Sequence, residues 1–151
     1  MRKGNDFRVL LVEDNPDHAI IAKMALKKID KISHVEHVDN GKKALDYFFD
    51  PQSSARLLPN LTILDLNLPE LDGFEVLKEI RNDKNLRNLP VVILTTSKNE
   101  CDVKKALELG VAEYFIKPLN IDRLTEILNS IDEIKNISND NLNWRTMSFI
   151  R

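Results

Sequence analysis

The chain has 151 residues, room for one domain of ordinary size with a single core. Lys and Arg number 22 against 24 Asp and Glu, a net charge of −2, so the basic excess of a nucleic-acid binder is missing. One cysteine, Cys101, excludes an internal disulfide framework and fits a reducing compartment. The apolar runs are too short to span a bilayer, and residues 1–6 carry basic side chains with no apolar signal core. The expectation is a soluble, cytoplasmic, single-domain protein that binds neither nucleic acid nor membrane.

In chain order, an apolar run at 7–12 is followed by Asn15-Pro16, an N-cap with proline at the first helical position. Ile21, Ala22, Ala25, Leu26 and Ile29 then form a helical apolar stripe opposite Lys23, Lys27 and Lys28. A second run at 34–38 precedes another helical stretch, and 50–60 reads as a surface loop. Runs at 61–64 and 91–94 are almost pure Val, Ile and Leu, as expected of parallel strands covered on both faces. Gly110 follows Val103, Ala106 and Leu107 as a helix stop, a fifth run occupies 112–116, and Leu124, Ile127, Leu128 and Ile131 make the last stripe. From Asn136 the sequence turns polar. Five strand–helix alternations predict an α/β fold: a (βα)5, right-handed, doubly wound parallel sheet. In such sheets the chemistry lies at the carboxyl ends of the strands, here just after 12, 65, 95 and 116.

The residues found there are unusual company. The first strand ends in Glu13-Asp14 and the third in Asp65, and three converging carboxylates are costly unless a cation sits among them. Mg2+ suits them, as a hard ion that takes carboxylates, water and a phosphate oxygen. The fourth strand ends in Thr95-Thr96-Ser97, hydroxyls that can donate to an anion, and the fifth in Lys117, a compact cation. Taken singly, each has a plain structural reading: a helix cap for Glu13-Asp14, a turn residue for Asp65, strand-end hydroxyls, a solvated lysine. Taken together they describe metal-assisted phosphoryl transfer with Asp65 as the nucleophile and an aspartyl-phosphate as product.

The sequence resembles the receiver domains of bacterial two-component response regulators, including the stand-alone chemotaxis regulator. The resemblance is carried by Val9-Leu10-Leu11-Val12-Glu13-Asp14-Asn15, by the stretch Leu64-Asp65-Leu66-Asn67-Leu68-Pro69-Glu70-Leu71-Asp72-Gly73, by Pro90-Val91-Val92-Ile93-Leu94-Thr95-Thr96-Ser97 and by Tyr114-Phe115-Ile116-Lys117-Pro118. Asp65 lies 4, 8, 30 and 52 residues before Pro69, Gly73, Thr95 and Lys117. The likeness implies a flavodoxin-like five-stranded sheet in the order 2-1-3-4-5 over residues 7–134, with 135–151 as a C-terminal tail and no separate output domain.

By the same resemblance Asp65 accepts a phosphoryl group from the phosphohistidine of a sensor histidine kinase, and Glu13, Asp14, Asp65 and the Asn67 carbonyl hold Mg2+. Thr95 and Lys117 meet the phosphoryl group, Tyr114 takes the aromatic switch position, and Lys117-Pro118 matches a cis peptide. Asn67, Thr96 and Ser97 tune the phosphoryl lifetime; Thr96 stands where the family has a smaller residue, and its methyl narrows access to Asp65. The domain acts in phosphorelay signalling and is not an enzyme beyond its own phosphoryl transfer and autodephosphorylation. The 50–60 loop and the run 94–100 are similar to regulators that serve phytochromes, so a phytochrome-type kinase is an expected partner. Output passes to a downstream protein or phosphotransfer protein. Trp144, Met147, Phe149 and Ile150 suggest docking of the tail or a homodimer.

Two other classes compete. A pseudo-receiver that only binds protein has no need of Glu13, Asp14, Asp65, Thr95 and Lys117 together. A small Mg2+ phosphatase of the haloacid dehalogenase type has Asp-x-Asp where this chain has Asp65-Leu66-Asn67, and needs a cap. A dinucleotide fold is excluded by an acidic first loop and only four glycines. His18, His34 and His37 have no partner motif and read as surface or helix-end residues.

Overall fold

The computed structural model describes residues 7–53 and 58–137. Its elements are β1 (Phe7–Val12), α1 (Pro16–Leu26), β2 (Ile32–Val38), α2 (Gly41–Phe49), β3 (Leu61–Leu64), α3 (Gly73–Asn82), β4 (Val91–Thr95), α4 (Glu100–Glu108), β5 (Glu113–Ile116) and α5 (Ile121–Ile137), with a 3-10 turn at Pro51–Ser53. All strand pairs are parallel, and the order is β2-β1-β3-β4-β5, the flavodoxin-like arrangement expected.

Alternate residues of the central strands feed two separate cores, because successive side chains of a strand point to opposite faces. Val9, Leu11, Leu61, Ile63, Val92 and Leu94 pack with α1 and α5. Leu10, Val12, Leu64, Val91 and Ile93 pack with α2, α3 and α4. This two-sided burial explains why β1, β3 and β4 read as unbroken apolar runs.

Local chemistry sets the helix starts. Asn15 accepts from the Asp17 and His18 amides, with Pro16 opening α1. Asp72 and Glu75 form a reciprocal capping box at α3. Gly110 ends α4 with φ of 77°, a left-handed conformation that suits glycine.

Several expectations shift. Strand β2 begins at Ile32, two residues earlier than the apolar run, β4 extends to Thr95, and β5 starts at Glu113. The α1 stripe is different: Ala19, Ala22 and Leu26 are buried, whereas Ile21 is 56% exposed, and Ile20 and Met24 face solvent with it. The cap at Asn15 fixes the phase of the helix, and two small alanines carry the packed face. Ile29 lies beyond the helix end and is nevertheless buried. The loop expected at 50–60 contains the 3-10 turn and returns through Asn60, whose side chain accepts from the Arg8 amide at 2.7 Å. Helix α5 runs to Ile137. Trp144, Met147, Phe149 and Ile150 lie outside the described residues. No helix among the described residues is long and apolar enough to cross a membrane.

Gly73 is required by close approach. A Cβ there would sit 2.3 Å from the Asp65 carbonyl oxygen and 2.7 Å from the Leu66 Cα, both backbone atoms that cannot step aside. Gly73→Ala is therefore expected to cost about 1–3 kcal/mol of stability. Equilibrium denaturation in urea should show this as a lowered midpoint with an unchanged slope.

Candidate functional site

The parallel ladder runs one residue past three strands and fixes the backbone of the site. The Glu13 amide donates to Val38 O at 3.1 Å, the Asp65 amide to Val12 O at 3.1 Å, and the Lys117 amide to Thr95 O at 2.9 Å. Three functional side chains thus start from strand geometry and not from free loops. Asp65 is further held by its own loop: the Asn67 amide donates to Asp65 Oδ1 at 3.0 Å, and the Gly73 amide closes onto Leu66 O at 3.0 Å.

The carboxylates of Glu13, Asp14 and Asp65 converge, each offering an oxygen within 4.8 Å of the others. Glu13 and Asp65 are buried and Asp14 is exposed, so one side of the cluster opens to water. Lys117 reaches across from the end of β5, its ammonium donating to Glu13 Oε1 at 2.5 Å and to Asp65 Oδ2 at 2.9 Å. Burial alone would push the lysine pKa down. The hydrogen bonds and charges of Glu13 and Asp65 outweigh that and hold it above the usual 10.5. The remaining Glu13 oxygen accepts from the Asn15 amide at 3.1 Å. A hard divalent cation fits this donor set of three carboxylates, one of them open to solvent.

A second chain of contacts leads away from Asp65. Thr95 is fully buried at the end of β4. Its Oγ1 accepts from Asn67 Nδ2 at 3.3 Å and from the Ser97 amide at 3.4 Å. Ser97 Oγ donates to Asp102 in the first turn of α4 at 2.7 Å, and the Tyr114 hydroxyl donates to Ser97 O at 3.0 Å. Burial raises the Tyr114 phenol pKa. Thr96 is exposed and lines a cavity of about 250 Å3 between α1 and the loop after β5, beside Lys117 and Pro118. The Lys117-Pro118 peptide is cis.

The expected residues Glu13, Asp14, Asp65, Asn67, Thr95, Thr96, Ser97 and Lys117 lie at or just past strand ends, while Tyr114 lies within β5. Two residues were not expected there. His18 Nδ1 lies 2.9 Å from Lys117 Nζ, and His37 Nε2 donates to the Glu13 carbonyl at 2.8 Å. The only signal for His18 is its place in the first turn of a helix that starts at this end of the sheet.

A doubly wound sheet with an acidic cluster, a lysine and a buried strand-end threonine at its carboxyl end defines a phosphoryl-transfer signalling module. The profile of the response regulator receiver domain matches residues 9–129, and the chain belongs to that family. It is 40% identical over 127 residues to the "Probable methanogenesis regulatory protein FilR2" of Methanothrix harundinacea (strain 6Ac), covering 84% of this chain and 82% of that one. It is 37% identical to response regulator Rcp1 of Synechocystis sp. (strain ATCC 27184 / PCC 6803 / Kazusa), covering 82% of this chain and 85% of that one. A crystal structure of Rcp1 in its Mn2+-bound form superposes with a TM-score of 0.69 at 34% identity, over 91% of this chain and 99% of that one. The phosphorylated cyanobacterial phytochrome response regulator RcpA gives 0.69 at 36% identity, over 85% of this chain and 92% of that one. The protein is a receiver domain of two-component phosphorelay signalling, and receiver domains bind a divalent metal.

A divalent ion held by the acidic cluster would neutralise the same carboxylates as Lys117. Lys117→Met leaves buried Glu13 and Asp65 without their cation and is expected to cost about 3–5 kcal/mol in EDTA. Because the folded-state lysine pKa is raised, that difference from wild type holds below 10.5 and shrinks as pH rises beyond it. Millimolar Mg2+ should raise the melting temperature of Lys117→Met more than that of wild type, and Asp14→Asn should lose most of the Mg2+ increment. Thermal melts with and without Mg2+ test all three points.

Proposed function

We propose that Asp65 is the phosphoacceptor and that residues 7–134 form the working receiver unit, with 135–151 as a C-terminal tail. The observation that carries this reading is the Lys117 ammonium bridging Glu13 and Asp65 inside a cluster of three carboxylates. A lysine held at this point beside an acidic cluster can pair with an incoming phosphoryl group while a divalent ion takes over the carboxylates.

Glu13, Asp14, Asp65 and the Asn67 carbonyl are the groups that would hold Mg2+, which when bound neutralises the incoming phosphoryl oxygens. An Asp65 carboxylate oxygen attacks the phosphorus of a kinase phosphohistidine, the O–P bond forms, and imidazole leaves with the electrons of the P–N bond. Lys117 then pairs with the phosphoryl group, and the Thr95 hydroxyl turns from Asn67 and Ser97 towards it. That movement breaks the anchorage of Ser97 and frees Tyr114 to repack, so one covalent event biases two arrangements of the surface around α4, β5 and α5. Asn67, Thr96 and Ser97 tune how long the phosphoryl group survives before autodephosphorylation. The likeness to Rcp1 and RcpA supports a phytochrome-type histidine kinase as donor. Output goes to a downstream protein, a phosphotransfer protein or a second copy of the chain, in the cytoplasm.

Incubation with acetyl phosphate should add one phosphoryl group to the wild-type mass in the presence of Mg2+ and none in EDTA. Asp65→Asn should show no adduct, and Thr95→Ala should keep it while losing the change in the Tyr114 environment seen by NMR. Absence of any wild-type adduct in a folded sample defeats the proposal in favour of a constitutive binding module.

A further inference from the structure

A lysine ammonium has three N–H donors and no acceptor. In this site two of them are used by Glu13 Oε1 and Asp65 Oδ2, and the third points to His18 Nδ1 at 2.9 Å. The donor set of Lys117 is therefore complete. An ammonium can only donate, so the facing imidazole nitrogen is the unprotonated one and the ring carries its proton on Nε2. The ring addresses the lysine and not the carboxylate, since His18 Nδ1 is 4.0 Å from Glu13 Oε2, beyond hydrogen-bond range. Its placement is built in: the His18 amide donates to the N-cap Asn15 Oδ1 at 3.1 Å, so the turn that begins α1 also sets the ring. Asn15 in turn donates its own amide to Glu13 Oε2 at 3.1 Å.

We propose that His18 is a positioning residue for Lys117: its neutral imidazole accepts the third ammonium proton and anchors the lysine at the Asp65 corner throughout phosphoryl transfer. This rests on the reading of Asp65 as phosphoacceptor. When the O–P bond forms at Asp65 and the donor's leaving group departs with its electron pair, Lys117 exchanges the Asp65 oxygen for a phosphoryl oxygen. With Glu13 and His18 both retained, the ammonium pivots about two fixed acceptors. Without His18 it keeps one and spends part of its time in solvent, and the preorganisation that favours the transition state is weakened.

The test uses the full chain with acetyl phosphate and Mg2+, comparing wild type, His18→Leu and His18→Gln. Leu removes the acceptor and is expected to slow adduct formation roughly two- to tenfold, the range of one net hydrogen bond. Gln offers a carbonyl acceptor and should recover most of that loss. Nitrogen-15 spectra of the imidazoles should show His18 Nδ1 unprotonated and displaced by Lys117→Met, with His34 unmoved. Wild-type rates in both variants, equal slowing in both, or a proton on His18 Nδ1 would each overturn the proposal. If wild type itself forms no Mg2+-dependent adduct, the phosphoacceptor reading fails, and the nitrogen spectra alone decide whether His18 positions Lys117.

Discussion

Everything at the carboxyl end of the sheet answers to one constraint: three carboxylates share a space in which their charges repel. Glu13 and Asp65 are buried, so water cannot screen them well, and Asp14 adds a third negative group from the open side. Opposite charge must be delivered to that point and kept there. Lys117 supplies it from the far side of β4, and its own burial cost is outweighed by the two acceptors it meets. The arrangement holds only because the backbone beneath it is rigid. Glu13, Asp65 and Lys117 each continue a strand ladder by one hydrogen bond, and the two apolar cores above and below the sheet prevent those strands from shifting.

A short series of hydrogen bonds leads away from this rigid cluster. Asn67 joins the Asp65 loop to Thr95, Thr95 to Ser97, and Ser97 to both Asp102 of α4 and Tyr114 of β5. No link in that series is an ion pair, and the two at Thr95 are long. Those two contribute modestly to stability, about 0.5–1.5 kcal/mol each, whereas the Ser97–Asp102 bond has a charged acceptor and is stronger. A site with strong, fixed charge pairs thus adjoins a series whose weakest links are at Thr95.

Much of this was legible in the sequence, for identifiable reasons. Strands β1, β3 and β4 are covered on both faces, so their apolar runs left no ambiguity, and the acidic pair, Asp65 and Thr95 sit at the ends of those runs, with Lys117 after the less buried β5. The start of β2 was less clear because the exposed Ser33 separates Ile32 from the run at 34–38. In α1 Ile21 misled: it lies outward, and Ala19, which carries little apolar signal, joins Ala22 and Leu26 on the packed face. His18 could not be found because its partner is 99 residues away and the contact exists only after the helix and the last strand come together. His37 is similar, since it meets a main-chain carbonyl, which no side-chain motif records.

The two outer strands also decide how the molecule can meet its neighbours. Among the described residues β2 and β5 form the two margins of the sheet, each hydrogen-bonded to one neighbouring strand. Both carry charge: His34 lies 3.6 Å from Glu36 on β2, and Glu113 of β5 accepts from Arg123 at 2.9 Å. Charged side chains along such an edge discourage another strand from adding to the sheet. Recognition by peptide-backbone pairing is thereby disfavoured at both margins, and association is steered to side-chain surfaces, whose contacts can change without unpicking the fold.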